Sequence, residues 1–412
     1  MCAHDPAQAV ERNESRAIAR RWISRLIAFV YGLVMFEVVI MVSPFAFYFY
    51  TAYGPSLQGL NHSEVTSWLT GFLLPHAVFT TSPLLEFLRW NLGRYAFGFG
   101  LLAFFVLAAQ IYASKLLGRR MVASGIYRYV RHPQYLCLGI SAFGLFTAWP
   151  RTIIFLLFVC MLFTYYLLAR VEERRMLAMD SRYADYMRTT GMFLPGNPGR
   201  RLYLALFGSV ADSNGPRWVA VTGLLLIVLL AGFGLRAYTL RHLSSTELSP
   251  NLRLISVYPM SPEQMRASAS LALSDPSVQR ALQQEANATF VAHILPSDYG
   301  MMGMFADIGS RHMERGTIRL SDFSNFGGWL LPFLEPEIRT DLMGSEGEDY
   351  RVVFSRVDDP AGQPVSSTQI FDLSAKMTPV YVVDVDAGAH TVSKMINPPR
   401  RSFWGNVKMP IF

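Results

Sequence analysis

Gly125-Ile126-Tyr127-Arg128-Tyr129-Val130-Arg131-His132-Pro133-Gln134-Tyr135 leads into two apolar stretches separated by Trp149-Pro150-Arg151. Glu172-Glu173-Arg174-Arg175 and Tyr183-Ala184-Asp185-Tyr186 follow. A hydrocarbon core is crossed by about 20 apolar residues of helix. Residues 134–149 and 151–170 therefore read as a tight helical hairpin, with ionisable residues before its first helix and after its second. Ionisable groups at such depth are costly, so a dense set of them between membrane helices marks a functional site by default. Pro133 lacks a backbone donor and suits the first turn of a helix, which leaves Arg131 and His132 beside a helix start at the interface. The hairpin's second helix returns to the same face, so Arg131 and His132 are expected near Glu172 and Glu173. Tyr183 and Tyr186, three apart, share one helix face.

Working outward, the runs near 22–50, 94–113 and 217–240 also have the length and apolarity of spans. Segment 66–88 is interrupted by Pro75, His76 and Pro83 and reads as a partial or re-entrant element. The expectation is an α-helical transmembrane bundle of about five spans plus that partial segment, over residues 1–240. A soluble α+β domain follows over residues 241–412. The chain is 51% hydrophobic and 13% aromatic, with a positive mean hydropathy, which fits a membrane protein carrying a soluble part.

Charge divides along the same line. Residues 1–240 hold 22 Lys+Arg against 11 Asp+Glu, and residues 241–412 hold 15 against 19. Positive residues collect in 114–133 and 171–217, on either side of the hairpin, and in the N-terminal arginines from Arg12 to Arg25. The positive-inside rule assigns these to the cytoplasm and residues 241–412 to the opposite side, in a bacterial inner membrane. The basic balance belongs to the membrane half, and no basic soluble module for nucleic acid is present. The first apolar run is too long for a cleavable signal.

In the tail, Asp275-Pro276 opens an expected helix running to about His293. Tyr350–Val357 and Pro379–Asp386 alternate as half-buried strands do. Cys2, Cys137 and Cys160 match no metal motif, and His293, His312 and His390 are dispersed, so no metal site is expected. His76 reads as a core or interfacial residue, and Met301-Met302-Gly303-Met304 as core filling.

The ordered set Gly125-Ile126-Tyr127, Arg131-His132-Pro133-x-Tyr135, the hairpin, Glu172-Glu173, Tyr183-x-x-Tyr186 and Phe193-Leu194-Pro195 resembles the isoprenylcysteine carboxyl methyltransferase and phospholipid N-methyltransferase group of integral membrane enzymes. The resemblance covers residues 125–195. It implies S-adenosylmethionine as cofactor, bound at the cytoplasmic face, and a membrane lipid or lipidated substrate as acceptor. By that resemblance Arg131, His132, Tyr135, Glu172, Glu173 and Tyr183 are the cofactor-binding candidates, and Arg131 and Glu173 the catalytic ones. Gly98-Phe99-Gly100 resembles a small-residue motif of the phospholipid branch. Two positions depart from the pattern: Cys137 stands where Gly is usual, and Asp180-Ser181 replaces Phe-Gly.

The residue types suit that cofactor. An arginine can hold its carboxylate and a glutamate its ammonium through charge-assisted bonds. Aromatic faces can contact its sulfonium. An amine acceptor would also need a base, for which Glu173 and His132 are the candidates. Two other readings compete. One is a non-enzymatic anchor or sensor in which residues 241–412 are the functional binding module, and in either reading the tail is open to an envelope partner. The other is a membrane reductase using a nicotinamide cofactor, although no Gly-rich dinucleotide fingerprint is present.

Overall fold

The computed structural model describes residues 39–46, 60, 63–75, 78–117, 122–148, 150–196, 217–285, 287–296 and 349–396. The N-terminal arginines, most of the run 22–50, His76, Met301–Met304 and His312 lie outside them. Residues 39–46 are helical. A turn of helix at Pro83–Glu86, capped by the Ser82 side chain accepting from Leu85 N at 3.4 Å, runs through a π-helix at Phe87–Gly93 into α1 (Arg94–Leu116). Then come α2 (Pro133–Ala148), α3 (Thr152–Met179), the short α4 (Tyr183–Thr189) and α5 (Arg217–Arg241).

Among the described residues three helices are long and apolar enough to cross a membrane: Pro83–Ser114, Thr152–Met179 and Thr222–Arg241. The chain is an integral membrane protein. The span expected at 94–113 thus starts earlier, because Ser82-Pro83 supplies a helix start that the run of hydrophobicity did not reveal. Segment 66–88 consequently divides. Its first part holds a single turn at Ser67–Thr70 and then chain bridged at Phe72 to Arg151 and at Thr80 to Leu243, and its last residues belong to the next helix.

The α2 helix begins with Pro133 at its first position, as its sequence dictates, and is buried along most of its length. Glycines let it approach α1 closely. A Cβ on Gly144 would lie 2.3 Å from Phe97 N, and one on Gly100 would lie 2.5 Å from Ser141 N. On the other side Phe146 packs against Phe155 and Phe158 of α3, with ring centroids 5.6 and 6.2 Å apart. Within a bilayer, where lipid is as apolar as these side chains, van der Waals packing at such close approaches holds the hairpin together.

After α5 the chain forms a six-stranded sheet in the order β1 (Ser245–Ser249), β2 (Leu252–Ser256), β3 (Thr289–Pro296), β4 (Tyr350–Asp358), β5 (Lys376–Asp386) and β6 (Thr391–Ile396). The β2–β3 pair is parallel and the others antiparallel. A parallel pair needs a crossover. Here it is α6 (Pro262–Ser274) and α7 (Pro276–Gln283), which pack Met265, Ala269, Ala272 and Val278 on one face of the sheet. Both expected strands are present. The helix expected to reach His293 stops at Gln283, and Thr289–Pro296 is a central strand instead. His293 is fully buried there, and burial alone pulls its pKa down to about 3, so it is neutral.

The other face of the sheet packs against the helical part. Val78, Leu240 and Leu243 join Ile255, Val291, Val353 and Val382 in one apolar cluster. Phe79 N–H donates to Ser256 O at 3.1 Å, and Phe79 O accepts from Ser244 N at 3.1 Å. Residues 70–75 and 78–80 thus form a strap between the hairpin's turn and the sheet.

Candidate active site

The hairpin brings the two ionisable clusters into contact. Arg131 Nε donates to Glu173 Oε1 at 2.6 Å, and both side chains are buried. His132 sits between the two carboxylates, with Nδ1 3.3 Å from Glu172 and Nε2 3.5 Å from Glu173. Both contacts give charge attraction, but neither has hydrogen-bond alignment. Burial lowers the pKa of His132, and the carboxylates of Glu172 and Glu173 outweigh it, leaving the ring above the ordinary histidine value. Tyr135 donates its phenol to Glu172 Oε1 at 2.5 Å.

The glutamates differ in access. The Glu172 side chain is 44% exposed and that of Glu173 only 5%, so Glu172 is the carboxylate a ligand can reach. Three rings form a column behind it. His132 stacks on Tyr135 at 5.7 Å between centroids, and Tyr135 on Tyr165 at 4.8 Å. Phe193 adds a tilted contact to His132 at 6.2 Å.

The local backbone explains why the motif residues hold these positions. Gly125 takes φ +61°, a left-handed conformation natural to glycine, and starts a 3-10 turn over Gly125–Arg128. The following residues pair with 191–192. Arg131 N donates to Gly191 O at 2.8 Å, His132 N to Met192 O at 3.0 Å, and Gly191 N to Tyr129 O at 2.9 Å. This ladder ties the motif to the segment after α4. Tyr186 clamps α4 from above by donating to Tyr127 O at 2.5 Å.

Arg131 also binds the C-terminal end of α4. Its Nη1 donates to Met187 O at 3.0 Å, to Thr190 Oγ1 at 3.2 Å and to the Thr190 carbonyl. Cations are favoured at a helix C-terminus, where carbonyls lack helical partners. Most of the guanidinium is therefore spent within the protein, and Nη2 is the arm left without a hydrogen bond to the described residues. Tyr183 is buried beside its neighbour Tyr186, with ring centroids 5.5 Å apart. Burial and then Glu173 push its phenol up, so it stays protonated.

All six residues singled out in the sequence, Arg131, His132, Tyr135, Glu172, Glu173 and Tyr183, thus meet at one end of the hairpin. Tyr165 and Thr190 also belong there and were not foreseen. Tyr165 lies seven residues before Glu172, two helical turns back on the same face, so its periodicity was a usable signal. Thr190 acts largely through its backbone and had none. Of the departures, Asp180 bonds Arg182 N at 3.0 Å and its guanidinium at 2.8 Å, fixing the start of α4. Gly98 has open space around it and Gly100 packs on α2, so only the latter serves close packing.

No curated protein and no solved structure matches the chain. A family model described as phospholipid methyltransferase matches residues 94–184, a stretch that runs from the start of α1 into α4 and contains every residue of the cluster named from the sequence. Residues 94–184 thus match the phospholipid methyltransferase family, a family of membrane methyltransferases.

Proposed function

We propose that the protein uses S-adenosylmethionine to methylate a lipid or lipid-linked acceptor, with the cofactor held at the Arg131–Glu173 end of the hairpin. The observation that carries this reading is the solvent-reachable carboxylate of Glu172, anchored by Tyr135 and His132 in front of an aromatic column. A ligand bearing an ammonium and a sulfonium suits that acidic, aromatic environment. The cofactor, when bound, supplies an electrophilic methyl group. Glu172 receives its ammonium, and the remaining arm of Arg131 receives its carboxylate. Tyr135 holds Glu172 for that contact, and the buried Tyr183 backs the cluster.

Glu173 holds Arg131 in place, and Glu173 or the neutral form of His132 is the candidate base when the acceptor is an amine. A carboxylate or thiolate acceptor needs no such step. Because methyl transfer is an in-line displacement, the rigid clamp of α4 on the motif contributes chiefly through positioning and exclusion of water. The basic loops beside this cluster favour a cytoplasmic site in a bacterial inner membrane, with the sheet on the opposite side and available to an envelope partner.

The test is transfer of labelled methyl groups from S-adenosylmethionine to a bacterial lipid extract. Label should enter the lipid fraction with the wild-type protein and fall at least about tenfold with Glu172→Gln, the loss of one charge-assisted bond. No transfer by folded wild-type protein would reject the reading.

A further inference from the structure

The sheet has no counterpart in residues 94–184, yet it is bound to the hairpin that carries the cluster. At the hairpin's turn, Leu73 N donates to Pro150 O at 2.7 Å, and Thr152 N to Gly71 O at 2.9 Å. Arg151 is fully buried. Its guanidinium donates to Thr70 O at 2.6 Å and lies 4.1 Å from the centre of the Phe72 ring. From α5, the buried Arg236 donates to Phe72 O at 2.5 Å, to Leu73 O at 3.1 Å and to the Phe371 carbonyl. Phe371 belongs to the segment between β4 and β5, so one guanidinium joins α5, the strap and the sheet region. The approach is close: a Cβ on Gly71 would stand 2.4 Å from Leu373 O.

We infer that Arg236 and the strap are positioning elements for the distant cluster. They fix the hairpin's register from its far end, and the sheet is the anvil against which they fix it. The α2 helix, 16 residues long, spans about 24 Å between the two ends. The Arg131–Glu173 and Tyr135–Glu172 contacts both cross from the α2 end to α3. Any slide or tilt of α3 against α2 at the turn is therefore carried to these contacts. A charge buried near the end of a membrane helix and spent on carbonyls from two other segments is costly unless its geometry is held closely.

Hydrogen exchange of the full-length protein in detergent tests this without reference to activity, so it fails separately from the proposed methyl transfer. The readouts are the cluster amides of Arg131, His132 and Gly191. Two variants loosen the far end: Arg236→Gln removes the guanidinium, and Gly71→Ala wedges the strap away from Leu373. Arg236→Lys, which keeps the charge, should restore part of the protection. Exchange at the cluster amides should quicken at least tenfold in Gly71→Ala, and likewise in Arg236→Gln if that variant folds. Asp275→Ala, which disturbs only the cap of α7, should leave them unchanged. Acceleration confined to the strap and sheet would overturn the inference, as would equal acceleration in Asp275→Ala.

Discussion

The two ends of the α2–α3 hairpin both bury arginine, and they use it in opposite ways. At one end Arg131 faces a carboxylate, beside a histidine and a second, half-exposed carboxylate. At the other, the contacts of Arg151 and Arg236 include backbone carbonyls and an aromatic face, and Asp372 adds a single acid near Arg236. An arginine whose partners are carbonyls satisfies chain that has left regular structure, which is a fixing role. An arginine set among acids, one of them open to water, makes a field that an outside ligand can enter. The partner, rather than the buried charge itself, separates a candidate reactive site from a staple.

The largest effect that sharpens this contrast is expected from Glu173→Ala. It strands the buried Arg131 cation and should cost about 3–5 kcal/mol, measured by denaturant unfolding in detergent. A loss below about 1 kcal/mol would mean that the pair is solvated, and the two ends would no longer differ. Arg151→Met should cost less, about 1–3 kcal/mol. It leaves the Thr70 carbonyl short of a donor but also removes a buried charge, and methionine keeps contact with Phe72. Equal losses in the two variants would erase the distinction.

A smaller effect lies in pH. His132 has a folded-state pKa raised by the carboxylates of Glu172 and Glu173 against the lowering by burial. A raised pKa gives stability that is full below the ordinary histidine value of about 6.5 and fades as pH rises through the folded value. The apparent Tm of the wild type should therefore drop, relative to His132→Gln, as pH climbs from about 6.5. Parallel curves for the two proteins would show that the imidazolium is not held between the carboxylates.

The same contrast explains what was legible in the sequence. The cluster end could be read because side chains name their own chemistry: Arg131-His132-Pro133 and Glu172-Glu173 declare both the charges and, through the length of the hairpin, their meeting. The strap end could not. Thr70, Phe72, Leu73 and Phe371 contribute carbonyls to the arginines, and a carbonyl is the same in every residue. The helix misplaced across Thr289–Pro296 has a related cause. Thr289-Phe290-Val291-Ala292-His293-Ile294-Leu295 is buried on both faces of a central strand and shows no alternation, so its period does not separate strand from helix. The start of the first described span lay hidden in the Ser82-Pro83 cap, inside a segment whose polar breaks suggested re-entry.

Binding of S-adenosylmethionine to the detergent-solubilised full-length protein, followed by calorimetry with Glu172→Gln and Arg151→Met alongside, tests the central claim most directly. The account expects saturable binding to the wild type, at least about tenfold weaker binding to Glu172→Gln, equivalent to about 1.4 kcal/mol, and retained binding to folded Arg151→Met. Absence of binding to folded wild-type protein, or wild-type affinity in Glu172→Gln, would contradict it.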